Sequence, residues 1–121
     1  MASVFEATAG LAIGYTTGSS VTQATNKGTG VTINAAAGAI TLNDAALAAG
    51  AEVSFTVTND KVTASDVVLV NHASAGTAGA YLVQANSLAA GSFAITVANL
   101  SGSSASEAIV LNYVVIKGAS S

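Results

Sequence analysis

The sequence predicts an all-β fold: an antiparallel, jelly-roll-like β-sandwich of about seven to nine strands with no long helix. Three observations carry this expectation. In Val31-Thr32-Ile33, Ile40-Thr41-Leu42 and Val53-Ser54-Phe55-Thr56-Val57 every second side chain is apolar and those between are hydroxyls; a period of two sends the two sets to opposite faces of a strand. Turns of small residues separate these segments. An internal repeat then sets two similar units about 41 residues apart, Leu47-Ala48-Ala49-Gly50 answering to Leu88-Ala89-Ala90-Gly91.

Taken in order, residues 1–19 mix Val4, Phe5, Leu11, Ile13 and Tyr15 with three glycines and have no clean period, so they read as an extended N-terminal arm. The sandwich domain is expected over 20–118, with 119–121 as a tail. Ser20 to Thr25 alternates and reads as a strand. Asn26-Lys27-Gly28-Thr29-Gly30 follows with the Asn and Gly that tight turns require. Asp44 to Gly50 has good helix formers but only seven residues, too few to hold a helix on propensity alone. It is expected to be a connection.

Ser65 to His72 is a continuous apolar run of strand length, which predicts burial on both faces. Ala73 to Gly79 is a turn, Ala80 to Ala85 and Ser92 to Ala98 are strands, and Glu107 to Lys117, the longest and most apolar, is placed centrally. The repeat pairs Val53–Val57 with Phe93–Val97, each followed by an asparagine, 59 or 99, and pairs Ser65–Asn71 with Ser106–Asn112. Two such hairpin units are expected to face one another as the layers of a sandwich.

Charge restricts function more than any motif does. Nine charged residues make up 7% of the chain, against ~25% in an average soluble domain, and there is no arginine. With a net charge of −3, no basic patch is available for phosphates, which excludes nucleic acid as the expected partner. No apolar run reaches the ~18 residues of a membrane-spanning helix, and no basic residue precedes the apolar positions at the N-terminus as in a secretory leader. Synthesis in a cytoplasm and no membrane contact are expected. Exposed faces of Ala, Thr, Ser and Val suit a subunit that hides surface against other subunits. With proline absent as well as most charge, the strand edges must be short, twisted or covered.

Catalytic chemistry finds little support. His72 is the only histidine, and a triad with a serine and Asp66 lacks the Gly-x-Ser-x-Gly elbow. Glu6, Asp44, Glu52, Asp60, Asp66 and Glu107 fall mostly in turns or at strand ends, where solvated caps are expected in place of a glycosidase pair. Asn59-Asp60 with Asp66 falls short of a calcium loop, and Lys27-Gly28-Thr29-Gly30 lacks the first glycine of a phosphate loop. Cysteine is absent. No enzyme, metal or cofactor is expected. Phe55, Phe93 and Tyr113 read as core; Tyr15 and Tyr81 are left as the residues that would stack on a sugar.

Together, VTQATNKGTGVTINAAAGAITLNDAALAAGAEVSFTVTND, then DVVLVN, AGTAGAY, LAAGSFAITVANLS and SEAIVLNYVVIKG, covering about Val21 to Gly118, resemble a module of tailed-bacteriophage virion proteins. That resemblance implies an antiparallel β-sandwich, often trimeric, serving as a capsid decoration (cement) protein or as the end of a head or tail fibre. Starting at Met1 and ending at residue 121, the chain is expected to leave no room for a fibre shaft. Decoration is therefore the first expectation: a homo-oligomer, trimer favoured, bound to the major capsid protein on the outer surface of the head. Val4, Phe5, Leu11, Ile13 and Tyr15 are expected to reach the neighbour. The alternative is a receptor- or glycan-binding fibre module using Tyr15 and Tyr81.

Overall fold

Alternation and turn chemistry produce eight strands in a computed structural model that describes Tyr15 and residues 17–118. In chain order they are β1 (Ser19–Thr22), β2 (Val31–Thr32), β3 (Ala37–Thr41), β4 (Glu52–Thr58), β5 (Val67–Ser74), β6 (Tyr81–Ala89), β7 (Ser92–Asn99) and β8 (Val110–Ile116). No helix occurs among the described residues. The Asp44–Gly50 tract is irregular, tied down by an isolated bridge between Leu47 and Ala105. Four of the residues assigned to the arm, Val4, Phe5, Leu11 and Ile13, and the 119–121 tail lie outside the described residues.

The strands form two four-stranded sheets: sheet A in the order β1-β3-β8-β5, and sheet B in the order β2-β4-β7-β6. The inner side chains of both, among them Ile40, Phe55, Phe93, Ile95, Leu111 and Val115, make one core. The sheets are mixed where an antiparallel arrangement was expected, since β1 pairs with β3 and β2 with β4 in parallel. The cause is the path of the chain. It alternates between layers from β1 to β4, so each of these partners is reached by way of a strand in the other sheet and returns in the same direction.

The repeat also folds differently from the expected hairpins. Each unit places its alternating strand in sheet B (β4 or β7) and its apolar strand in sheet A (β5 or β8), so each contributes to both layers. The matching strands pair with one another, β4 with β7 and β5 with β8, and the registers cross at Phe55–Ile95 and Asn71–Asn112. Gly50 and Gly91, closing the matching Leu-Ala-Ala-Gly turns, adopt positive φ angles of 73° and 85°, where an L side chain is strained.

The matching asparagines are buried keystones. Asn59 accepts from the backbone N–H of Lys61 (2.8 Å) and donates to the carbonyl of Ala35 (2.8 Å). Asn99 accepts from Ser101 N–H (3.0 Å) and donates to the carbonyls of Leu47 and Ser103 (2.9 Å each). Each amide satisfies loop backbone that would otherwise be buried without partners.

Candidate interaction surface

The outward set of sheet A is mostly aliphatic, where that of sheet B is mixed, with hydroxyls and amides beside Leu82, Ala94, Ala98 and Glu52. On sheet A the outer positions are Val67, Leu69 and Asn71 of β5, Val110, Asn112, Val114 and Ile116 of β8, and Ala37, Ala39 and Thr41 of β3. Val67, Leu69 and Ile116 are 52%, 54% and 47% exposed. No charged side chain stands among these positions. Such a patch is costly for a solitary domain and typical of a contact surface.

β5 corrects the expectation of burial on both faces. It is the edge of sheet A and only one of its faces meets the core, through Val68 and, partly, Val70. Its continuous apolar run therefore records one face packed on the core and another left uncovered. The two long edge strands, β5 and β6, each break their register near the C-terminal end, between His72 and Ser74 and between Asn86 and Ala89. The other edges, β1 and β2, are four and two residues long. Bulges and shortness replace proline and charge as protection against stray pairing.

Relief across the face of sheet A is uneven. Val67, Leu69 and Ile116 stand up on the β5 side, whereas the β1–β3 side is a hollow of about 720 Å³ bounded by Tyr15, Gly18, Ser20, Ala37, Ala39 and Asn112. Tyr15 is 48% exposed, and its hydroxyl donates to the Val115 carbonyl at the rim of this hollow. Of the five residues expected to meet a neighbour, it is the one described, and it adjoins the apolar face. A smaller dent of about 400 Å³ lies between Leu69, Asn71, Asn112 and Val114.

The titratable groups are engaged in holding loops. Tyr81, expected as an exposed stacking residue, is buried because it opens β6 on the inward side; its hydroxyl donates to Glu107 Oε1 at 2.6 Å and its ring meets His72 edge-on at 5.6 Å. Glu107 also accepts from Thr77 N–H (3.1 Å) and Thr77 Oγ1 (2.9 Å). Burial, with the Glu107 bond, pushes the Tyr81 phenol up to about 12, and the Tyr81 and Thr77 bonds lower the Glu107 carboxyl. His72 Nε2 faces the carbonyls of Ala75 (2.6 Å) and Ser74 (3.1 Å), which fixes it as the protonated nitrogen.

Asp66, expected as a solvated cap, has a side chain only 2% exposed. It accepts from Lys117 Nζ (2.6 Å), Gly118 N–H (3.0 Å) and Thr63 N–H (2.9 Å), fastening the start of β5 to the end of β8. The Lys117 bond first, then Gly118, hold its carboxyl well below the usual carboxylate range. Asp66 and His72 are thus bonded to different groups and form no relay.

Sequence reasoning missed Lys27, whose side chain is buried with Nζ donating to three carbonyls, of Asn43 (2.6 Å), Ala45 (2.7 Å) and Glu107 (2.9 Å). Burial lowers its pKa, against the opposing charges of Asp44 and Glu107. Gln23 completes this lock by donating to the Lys27 and Thr29 carbonyls and accepting from Asn43 N–H. The available signal was a lone lysine in a chain with only three cations. Among the described residues, no three His, Asp or Glu side chains gather as metal ligands, and no helix is long and apolar enough to cross a membrane. Compared with protein-family models, curated proteins and solved structures, the chain matches none.

Proposed function

We propose that this chain is a structural virion subunit of a tailed bacteriophage, a capsid decoration protein that binds the major capsid protein on the outer surface of the head. It would be made in the bacterial cytoplasm and act as a homo-oligomer, for which the phage-module resemblance implies a trimer. The observation that carries the reading is the uncharged, uncovered aliphatic face of sheet A, with Val67, Leu69 and Ile116 each about half exposed. A protein that acts by contact requires such a surface and no catalytic group. Each ~100 Å² of apolar area covered contributes about 2.5 kcal/mol before association costs, so cementing works by summing many sites.

The arm, with Val4, Phe5, Leu11, Ile13 and Tyr15, is proposed as the segment that engages the capsid. Purified phage particles should carry the chain in hundreds of copies on the head, and undecorated heads should take it up. A handful of copies at the tail, or no uptake, refutes the reading; unchanged uptake after deletion of residues 2–15 refutes the role of the arm. Because so few charges are available, uptake should change little between low and high salt. The glycan alternative loses support, since Tyr81 is buried and bonded to Glu107.

A further inference from the structure

β5 carries Val67 and Leu69 of the outer face of sheet A, yet few bonds hold it. As an edge strand it pairs with β8 alone, and it meets the core only through Val68 and, partly, Val70. Beyond these contacts it is pinned at each end by one carboxylate. At its start, Asp66 accepts from Lys117 Nζ (2.6 Å) and Gly118 N–H (3.0 Å), just past β8, and from Thr63 N–H (2.9 Å). Gly118 lies so close to the Ser65 carbonyl that a Cβ there would clash. At the far end, the turn leaving β5 is held by Glu107, which accepts from Tyr81 Oη, Thr77 Oγ1 and Thr77 N–H. Gly76 of this turn packs on Ile109 and Glu107 with no room for a Cβ. Ala75 beside it is kept at a φ of 60°, a strained conformation that lasts only while its surroundings enforce it. Glu107 is itself fixed, since its carbonyl accepts from Lys27 Nζ (2.9 Å).

We propose that these two carboxylates make β5 an acid-released strand: when both are protonated, it comes away from β8 and the contact face opens while β4 and β7 stay folded. This is a regulation of sheet A and rests on the reading of that sheet as the capsid contact. A carboxylate has acceptor sites for three donors, whereas a neutral carboxyl group gives part of that capacity to its own proton and loses its charge-assisted bonds. Neighbouring charges set the range. Asp66 faces Lys117, while Asp60 and Lys61 on the preceding turn pair with each other (3.8 Å). Glu107 faces Tyr81, with His72 beyond the tyrosine ring, and lies near the Lys27 ammonium, which also senses Asp44. Charge on His72 favours the Glu107 carboxylate, so opening waits for the carboxylate range. Lys117 and then Gly118 hold Asp66 below its ordinary value, and Tyr81 and then Thr77 do the same for Glu107. The pins are therefore complete above about pH 4 and are lost as the pH falls further. Glu107, whose donors are neutral, yields before Asp66, which has an ammonium.

Amide hydrogen exchange of the full chain, followed by NMR from about pH 7 to about pH 2 and expressed relative to unfolded peptide at the same pH, tests this. Amides of β5 and of residues 73–79 should lose at least about tenfold in protection, relative to β7 in the same sample, as the pH falls below about 4. Glu107→Gln and Asp66→Asn keep the shape and remove the charge. Each should produce part of this loss already at about pH 7, and the double variant should abolish its pH dependence. Glu52→Gln, at an exposed carboxyl on sheet B, should behave as wild type. Loss of protection in β5 and β7 together at every pH, or wild-type exchange in both Glu107→Gln and Asp66→Asn, would overturn the proposal. Should a variant also lose β7 protection, the wild-type series decides by the same criterion. Release of β5 in acid by a chain that heads do not take up at any pH would leave the switch standing and remove the capsid reading. Uptake that falls in acid with β5 protection unchanged would overturn the switch and leave the capsid reading in place.

Discussion

The two outer faces of the sandwich are built from the same alternating pattern and end with opposite chemistry. On sheet B the outward residues include Glu52, Ser54, Thr56 and Thr58 of β4, Thr96 of β7, and Gln84 and Asn86 of β6, with Leu82 of β6 and Ala94 and Ala98 of β7 among them. Polar members bond to one another: Thr96 Oγ1 lies 2.7 Å from Ser54 Oγ and accepts from Asn86 Nδ2 at 3.0 Å. On sheet A the corresponding positions are Val, Leu, Ile and Ala, with Thr41, around a central Asn71–Asn112 pair. Hydroxyls and amides remain compatible with water while bonding across strands, whereas aliphatic groups gain only when something covers them. The protein therefore has one face whose polar groups bond across the strands and one whose exposed side chains are mostly aliphatic.

The largest expected effect falls on the interior that carries both faces. Asn99→Ala would leave the Leu47 and Ser103 carbonyls without their donor and should lower stability by about 3 kcal/mol in urea unfolding. A loss below about 1 kcal/mol would mean that the loops do not depend on this amide. Acid should act next, through sheet A. The Asp66 carboxyl has a folded pKa below its unfolded value, so its contribution is present above about pH 4 and is lost as pH falls further. Melting curves of wild type and Asp66→Asn should converge in strong acid; a constant gap would refute the assignment.

The smallest effect is expected on the face of sheet B. Thr96→Val removes the hydroxyl shared by Ser54 and Asn86 and should cost about 1 kcal/mol, with uptake by heads unchanged. Altered uptake would show that sheet B also takes part in contacts.

The alternating segments made the strands legible, because a period of two has only one simple meaning when the turns between are Gly and Asn. Residues 31–33, 53–57 and 92–98 needed no tertiary information. β5 was misread because a continuous apolar run is equally what results when one face meets the core and the other meets another protein; periodicity cannot tell these apart. The parallel pairs β1–β3 and β2–β4 depend on where the chain crosses between layers, which leaves no local mark. Tyr81, Asp66 and Lys27 were misjudged or missed for a related reason: their partners, Glu107, Lys117 and the carbonyls at 43, 45 and 107, are distant in sequence. The repeat was visible, but that its matching strands pair with one another, β4 with β7 and β5 with β8, emerged only in the fold.

Two leucines test the central claim directly. Leu69 on sheet A and Leu82 on sheet B are 54% and 56% exposed, so chemistry and exposure are matched and only the face differs. Uptake by undecorated heads, measured for Leu69→Asp and Leu82→Asp beside the wild-type chain, should be lost in the first and kept in the second. Equal behaviour of the two variants, or uptake lost only with Leu82→Asp, would contradict the account.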